Sequence, residues 1–234
     1  MRETHAQRAY DHLRSKMIAG DFQPGSRIRY GPVGKELGIS ATPVREAIGQ
    51  LANEGFVQLV PQLGAIVREI TQKELIELYE MREALEPYAA AKAAERITQR
   101  QLGEVRKQYE TMFGIAEQVR KSSTKRASSR TVKPFEQADL AFHMLIIEAT
   151  GNQTMVRTVG NSHVLAWIFS ADRHSYDAQV MATTCNDHLR VLKALEKAQP
   201  DAARLAMAMH IRNGLEATLA AVVDEPDRWW EPSK

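Results

Sequence analysis

Four side chains in the second half of the chain are of the types that bind divalent metal ions. Each falls on the apolar stripe of a predicted helix; they are Asp139, His143, His188 and His210. A buried carboxylate or imidazole needs a polar partner, so such residues on separate core-facing stripes are expected to meet. Three imidazole nitrogens with one carboxylate oxygen suit zinc or nickel best, and also manganese or iron. The sequence therefore predicts a divalent metal site.

The spacing of two of these residues supports that prediction. On a helix, Asp139 and His143 lie one turn apart and point the same way. The alternative is that each histidine is an ordinary core residue with a local hydrogen bond. A single histidine would favour that alternative, whereas four ligand-type residues on three helices favour the metal ion.

The helices that carry these residues belong to a long helical block. Beyond residue 70, apolar residues recur at helical spacing and predict about six helices. Their predicted bounds are 71–97, 99–120, 134–150, 153–171, 176–198 and 201–223. Between the second and the third lies a basic, serine-rich run, residues 121–130, which we expect to be a solvated connecting loop.

Length and composition are those of an ordinary globular protein with two domains. The chain has 234 residues, of which 44% are hydrophobic and 26% are charged. No apolar run reaches the roughly 18 residues of a membrane span, and the polar start has no secretory segment, so we expect a cytoplasmic protein without a membrane partner. The single cysteine, Cys185, excludes an internal disulfide and a cysteine-rich zinc motif. The formal net charge is only +2, and the whole excess lies in residues 1–70.

The first 70 residues have a different pattern, with short elements separated by turns. One helix ends at Gly20, a second covers residues 32–37, and a third has Thr42 as its N-cap. The apolar runs 56–60 and 65–69 predict a β-hairpin. This order of elements is typical of a winged helix-turn-helix. The chain is therefore predicted to be mainly α, with this small domain followed by a bundle of about six helices.

The third helix of the first block is the expected DNA-reading element, because its N-terminal residues enter the major groove in such domains. Arg45 lies in its first turn, off the apolar stripe, where a guanidinium reaches guanine or phosphate. Ser40 and Thr42 stand at the helix entrance, where exposed N–H groups attract phosphate, and Gly64 lies at the hairpin tip. Each residue alone has an ordinary explanation as a cap, a surface charge or a turn glycine. Together they favour binding to double-stranded DNA.

Several motifs of the first block occur together in one known family. They are Pro24-Gly25-Ser26-Arg27-Ile28, Leu37-Gly38-Ile39-Ser40, Thr42-Pro43-Val44-Arg45-Glu46-Ala47, and Leu51 with Glu54-Gly55-Phe56-Val57. In this order, over most of residues 8–69, they resemble the DNA-binding domain of the GntR family of bacterial transcription regulators. Two departures concern positions that contact DNA in the family, because Ala41 and Leu63 stand where arginine is common. Arg29, with Arg27 and Gln62, is the candidate to compensate.

Motifs of the second block point to a subfamily. They are Arg82-x-x-x-Glu86, Asp139-x-x-x-His143, Gly151-Asn152, Asp187-His188, and Asp201 followed by Ala206 and His210. Over most of residues 75–220 they resemble the FCD effector domain of GntR regulators, and about six helices imply its smaller, VanR-like branch. In metal-binding members, one aspartate and three histidines of this pattern hold the ion in an antiparallel helical bundle. All four are present here.

An effector site is expected beside the metal ion. An ion that prefers five or six ligands keeps positions open for water or for an effector carboxylate. Arg82 lies inside the apolar stripe of its helix, where it either contacts the effector or pairs with Glu86. His163 also lies on an apolar stripe and is either an effector contact or a core histidine. Asn152, from the Gly151-Asn152 motif, is the third residue expected to bind the effector.

These patterns predict a metal-containing transcriptional repressor that senses a small organic acid. Residues 1–70 would bind DNA, residues 71–225 would bind the effector and form a homodimer, and residues 226–234 would be a tail. A two-fold symmetric protein implies a palindromic operator. Two alternatives stay open, a direct metal sensor and a metalloenzyme that uses the same four ligands. The enzyme is disfavoured, because no additional general base is evident near these motifs.

Overall fold

The computed structural model describes residues 4–18, 20–170 and 176–223, so the predicted tail at 226–234 lies outside the described residues. The described residues form nine α-helices and a small three-stranded sheet, which confirms the mainly α fold predicted from the sequence. They divide into two compact units. Met1–Thr71 with Val164–Asp172 form the first, here called the winged unit, and Gln72–His163 with Arg173–Lys234 form the second, the helical unit. No helix in the described ranges combines the length and the apolar character that a membrane crossing requires.

The winged unit begins with three helices, α1 at His5–Ile18, α2 at Tyr30–Leu37 and α3 at Ala41–Asn53. Their apolar faces share one core, in which Leu13, Ile48 and Leu51 are completely buried. Gly38 ends α2 with a φ of 67°, a conformation that glycine adopts without strain, and its N–H bonds back to the last turn. The short connection that follows places α3 as the second helix of the helix-turn-helix.

A three-stranded antiparallel sheet follows α3 and forms the wing. Its strands are β1 at Arg27–Ile28, β2 at Val57–Val60 and β3 at Gly64–Val67, in the order β1-β3-β2. The β2–β3 pair is the predicted hairpin, with Val60 opposite Gly64. β1 was not predicted, because two residues are too few to show the alternation that identifies a strand.

Two helix starts in the winged unit differ from the sequence prediction. α2 begins at Tyr30 and not at Pro32, and α3 begins at Ala41 with Ser40, and not Thr42, as its N-cap. Proline is tolerated throughout the first turn, because the first N–H groups of a helix have no acceptor within it. A proline therefore indicates that a helix starts nearby without fixing its first residue.

Among the described residues the helical unit contains six helices, as predicted, although the end of α7 groups with the winged unit. They are α4 at Gln72–Arg96, α5 at Gln99–Lys121, α6 at Ser129–Ala149, α7 at Gln153–Ser170, α8 at Ala178–Glu196 and α9 at Pro200–Val223. α4 packs on α9 and α6, α5 packs on α6 and α8, and α8 packs on α9. Phe135, Phe142 and Ile146 place the apolar face of α6 at the centre of the bundle.

The start of α6 and the connector before it also differ from the prediction. α6 begins at Ser129, so Pro134 lies inside the helix and not at its start. The connector is not a free loop, because an isolated antiparallel bridge pairs Arg126 with Asp177. This contact joins segments far apart in the sequence, so no local pattern could have predicted it.

Candidate metal centre and nucleic-acid interface

The four predicted metal ligands meet inside the helical unit. Asp139 and His143 come from α6, His188 from α8 and His210 from α9, and one ligand atom of each lies within 4.8 Å of the others. His143 and His188 are completely buried, and His210 is 7% exposed. The side chain of Asp139 keeps 29% of its surface, because it also lines a cavity. The arrangement offers three imidazoles and one carboxylate around a single point.

Two of the histidines are oriented by partners on the other side of the ring. The Nδ1 atom of His143 donates to Glu86 Oε2 at 2.6 Å, and the Nδ1 atom of His188 donates to the Thr184 carbonyl oxygen at 2.8 Å. A proton held on Nδ1 leaves Nε2 with a free lone pair. Both Nε2 atoms are therefore in the form that binds a metal ion.

The contacts among the ligand atoms fit a shared cation. His188 Nε2 lies 3.0 Å from Asp139 Oδ1, yet this buried nitrogen has no aligned hydrogen-bond partner. With the proton on Nδ1, two acceptors face each other at this distance. His143 Nε2 lies 3.0 Å from His210 Nε2 in the same cluster. A buried polar atom without a donor is costly, and a divalent ion between these atoms removes that cost.

The electrostatics of the cluster keep Asp139 charged and His210 neutral, the two protonation states that bind a metal ion. Burial alone would raise the pKa of Asp139, but His188, with His143 and His210, lowers it well below its usual value. Burial and the neighbouring His188 and His143 lower the pKa of His210 well below its ordinary value. At neutral pH the site therefore holds a carboxylate and a neutral imidazole, the forms that bind metal ions.

Glu86 of α4 is the hub of a buried network beside the cluster. Its Oε1 atom accepts from Arg82 Nε at 2.7 Å and from His163 Nε2 at 2.8 Å, while its Oε2 atom accepts from His143. Burial alone would raise the pKa of Glu86, but attraction from His163, Arg82 and His143 lowers it well below its usual value. Because these donors and the carboxylate satisfy one another, the network orients His143, although Glu86, His143 and His163 also lie close enough together to hold an ion.

The central role of Glu86 was missed from the sequence. The Arg82-x-x-x-Glu86 spacing indicated a pair on one helix, and that pair is present. Nothing local indicated that the same carboxylate would meet His143 of α6 and His163 of α7. His163, which the sequence offered as an effector contact or a core histidine, is a buried partner of Glu86.

A cavity of about 380 Å³ adjoins the cluster of candidate metal ligands within the helical unit. Asp139 and His210 line it, as does Arg82, whose guanidinium lies 4.8 Å from the Tyr79 ring centroid. Arg82 thus reaches the cavity and pairs with Glu86 at once. The structure does not bring the other two expected effector residues there. His163 is turned to Glu86, and the side chain of Asn152 accepts N–H bonds from the first turn of α7.

The candidate DNA residues of α3 are exposed in the winged unit. Arg45 lies on the surface, with its guanidinium 5.7 Å from the ring centroid of Tyr30, a residue that sequence reasoning missed. Ser40 precedes the first helical residue, and its side chain makes no capping hydrogen bond. Thr42 is exposed in the first turn. The N-terminal end of α3 therefore presents two hydroxyls and a guanidinium to solvent.

The wing brings a further cation to the same unit. Gly64 has a φ of 88°, and a Cβ atom there would lie 3.8 Å from the Arg27 guanidinium. Arg27 thus stands at the tip of the wing, close to the exposed Leu63 that replaces the arginine common in similar domains. Arg29 is exposed as the N-cap of α2, and Ala41 is exposed as the first residue of α3.

Two protein families match this chain. Residues 5–67 match the family described as bacterial regulatory proteins, gntR family, and residues 77–213 match the FCD domain. The protein named "Probable D-xylose utilization operon transcriptional repressor" of Paenarthrobacter nicotinovorans is 29% identical over 222 residues, which cover 93% of this chain and 90% of the relative. The HTH-type transcriptional repressor RspR of Escherichia coli is 25% identical over 225 residues, which cover 96% and 92%.

The fold is similar to that of solved structures over nearly the whole chain. Escherichia coli McbR/YncC has a TM-score of 0.77 at 19% identity, with 94% of this chain and 99% of that chain covered. A GntR regulator from a Rhodococcus species has a TM-score of 0.73 at 20% identity, with 92% and 98% covered. At these identities the likeness concerns the fold alone.

Proposed function

This chain belongs to the GntR family of bacterial regulatory proteins and carries an FCD domain, and from that premise we propose that it is a metal-containing repressor that senses a small organic acid. The family and the relatives are transcriptional regulators and not enzymes, so the metalloenzyme alternative is rejected. We assign DNA binding to residues 1–70, and effector binding with homodimer formation to residues 71–225. The six helices that the structure describes in the second block support the placement of this chain in the VanR-like branch.

This proposal rests on one observation: the candidate ligand atoms of four side chains meet beside a cavity. Asp139, His143, His188 and His210 would hold a divalent ion, with zinc or nickel favoured and manganese or iron as the other candidates. A bound ion of this kind supplies a Lewis-acidic centre for carboxylate oxygens. The cavity that Asp139 and His210 line gives an acid access to this centre.

Arg82 completes the acid-binding end of the cavity. Its Nε atom is used by Glu86, and a guanidinium has further N–H donors for a carboxylate. Glu86 fixes the position of that guanidinium and of His143 together. An acid bound at this end therefore meets side chains that are already oriented.

The response to the acid would be a shift between two placements of the winged units in a homodimer. Acid that binds one placement more tightly increases its population, and operator affinity falls if that placement no longer matches two half-sites. In the winged unit, Ser40, Thr42 and Arg45 would contact a palindromic operator through α3, with Gly64, Arg27 and Arg29 at the wing and the start of α2.

Thermal melting with simple acids tests the proposal. Metal-loaded and chelated protein would be melted with acetate, butyrate and succinate, and with acetamide as the uncharged control. A specific ligand stabilises the native state as its saturation increases. We expect a rise in melting temperature with acids only in the metal-loaded protein. Equal rises in both forms would make the ion structural. A change in operator affinity caused by metal without any acid would favour direct metal sensing.

A further inference from the structure

The cavity beside the metal cluster is elongated along α8 and α9. On α8 its lining runs from Asp177 through Thr184, one turn before the ligand His188. On α9 it runs from the ligand His210 to Ala220. At a rise of about 1.5 Å per residue, these spans place Asp177 and Ala220 roughly 15 Å along the helices from the ligands. The metal centre is therefore at one end of the cavity and Asp177 is at the other.

Arg126 lines the cavity at the Asp177 end. Two backbone hydrogen bonds, of 2.8 and 2.9 Å, join residues 125–127 to residues 176–178 on either side of the bridge between Arg126 and Asp177. This bridge holds the backbone of Arg126 beside the start of α8. The backbone of this connector arginine is thus held beside the cavity, and its exposed side chain lines the cavity at this end.

The guanidinium of Arg126 is available to a ligand. Within residues 4–18, 20–170 and 176–223, its side chain has no ion pair or hydrogen bond. Asp177, its partner across the bridge, uses its carboxylate to accept the Val180 N–H at 2.8 Å and so caps α8. Arg82 at the metal end, in contrast, is paired with Glu86.

The wall between the two ends is partly apolar, and the hydroxyl side chains of Tyr79, Tyr176, Thr184 and Thr218 also line the cavity. Val180 of α8 and Ile211, Gly214 and Ala217 of α9 line this middle section. Such a wall suits the carbon chain of a small molecule, whereas the guanidinium beyond it suits an anion. The volume of about 380 Å³ is at the small end of the range for ligand cavities.

We propose that Arg126 forms a second anion-binding subsite, so that the effector is a small acid with a second anionic group, a carboxylate or a phosphate, at the other end of its carbon chain. The inference rests on the proposed acid site at the metal centre. A planar guanidinium binds either anion through two parallel N–H bonds. A monocarboxylic acid held at the metal end would leave this cation without an anionic partner among the residues that the structure describes.

Calorimetric titration of the metal-loaded full chain tests the second subsite. Malonate, succinate, glutarate and adipate would each be compared with the monocarboxylic acid of the same carbon number, and 3-phosphonopropionate would represent the phosphate type. We expect one diacid to bind at least about tenfold more tightly than its monoacid, a difference of about 1.4 kcal/mol. Tighter binding of the phosphonate than of succinate would support the subsite and identify its group as phosphate-like.

Three variants separate the subsite from a general charge effect. Arg126→Gln should remove the preference for the diacid while leaving monoacid affinity unchanged, and Arg126→Lys should restore part of it. Arg130→Gln removes an exposed charge from the start of α6, outside the cavity lining, and should change neither affinity. If diacids and monoacids bind equally, or if Arg126→Gln keeps the preference, the subsite is refuted and the acid site stands. If no acid binds, the proposed acid site itself is refuted.

Discussion

The winged unit and the helical unit hold their candidate residues in opposite ways. In the winged unit Ser40, Thr42 and Arg45 are exposed, and the guanidinium of Arg45 lies over the Tyr30 ring. In the helical unit the candidate residues are buried and hydrogen-bonded inside the fold: His143 bonds to Glu86 and His210, and His188 bonds to the Thr184 carbonyl oxygen. One site is a surface that a partner meets from outside, and the other is an interior whose geometry the fold itself sets.

The difference has an energetic consequence. Replacement of an exposed residue removes its contact with a partner and leaves the fold nearly unchanged. Replacement of a buried, bonded residue leaves its former partners without hydrogen bonds or counter-charge, so folding and binding change together. We therefore expect binding and stability to be separable in the winged unit and coupled in the helical unit.

Glu86→Gln should have the largest effect. It leaves the buried Arg82 guanidinium without its counter-charge, and breaking a buried ion pair typically costs about 3 to 5 kcal/mol. It should also weaken metal binding by about 10- to 100-fold, because His143 loses the carboxylate that orients it. Urea denaturation and a metal-competition titration would measure the two effects.

Glu83→Gln is the matched control on the same helix. Glu83 pairs with Arg212, whose side chain is 63% exposed, so its loss should leave stability and metal affinity almost unchanged. If both variants lose stability equally, the network around Glu86 has no special role.

His188→Ala should reduce metal affinity by roughly 100-fold or more, because loss of a ligand exceeds the loss of a residue that orients one. Cys185→Ala, one turn earlier on α8, changes a buried residue outside the ligand cluster and should bind metal as the wild type does. Metal content after dialysis would be measured by elemental analysis. Full occupancy in His188→Ala would exclude it as a ligand.

Arg45→Ala should weaken operator binding by about 1 to 3 kcal/mol while the melting temperature stays near that of the wild type. Arg8→Ala removes the same charge from the exposed side of α1 and should have a smaller effect. Fluorescence anisotropy with an operator fragment selected from random DNA would compare them. Equal losses in both variants would mean that only net charge matters and that α3 does not read the DNA.

Acidification should also destabilise the metal-free protein, with a smaller loss for each pH unit than the loss expected for Glu86→Gln. Burial and the charge of Arg82 lower the pKa of His163 from its ordinary 6.5 to about 4. Between these values the unfolded chain binds a proton that the folded chain does not. The neutral His163 therefore makes its full contribution to the free energy of unfolding above about pH 6.5. That contribution falls toward pH 4, by at most about 1.4 kcal/mol per pH unit for each such histidine.

Urea denaturation between about pH 5 and pH 7 would measure that slope. His163→Gln should make it shallower, although His210, whose pKa is also lowered, would keep part of it. Identical slopes in the two proteins would contradict the assignment of His163 as a neutral buried residue.

The elements of the fold could be predicted because their signals are local. Helical spacing of apolar residues located all six helices of the second block, and the i,i+4 spacing put Asp139 and His143 on one face. The convergence of these two residues with His188 and His210 needed the argument that buried polar groups require partners, together with the family resemblance.

The parts that were not predicted depend on contacts between distant segments. The two-residue strand β1 exists only by pairing with β3, and Arg126 is placed only by its bridge to Asp177. Glu86 looked like a helix neighbour of Arg82, and only packing of α4 with α6 joins it to His143. Sequence spacing reports on one element at a time, so such relations appear only in the folded chain.

Metal-anchored acid sensing is tested by operator affinity with and without acid, measured in metal-loaded and in chelated protein. The acid that most stabilises the metal-loaded form in thermal melting would be added to protein bound to the selected operator fragment. We expect acid to weaken operator binding by about 5- to 150-fold in the metal-loaded protein and to have no effect after chelation. Unchanged affinity in the metal-loaded protein, or an equal loss in both forms, would contradict metal-anchored acid sensing.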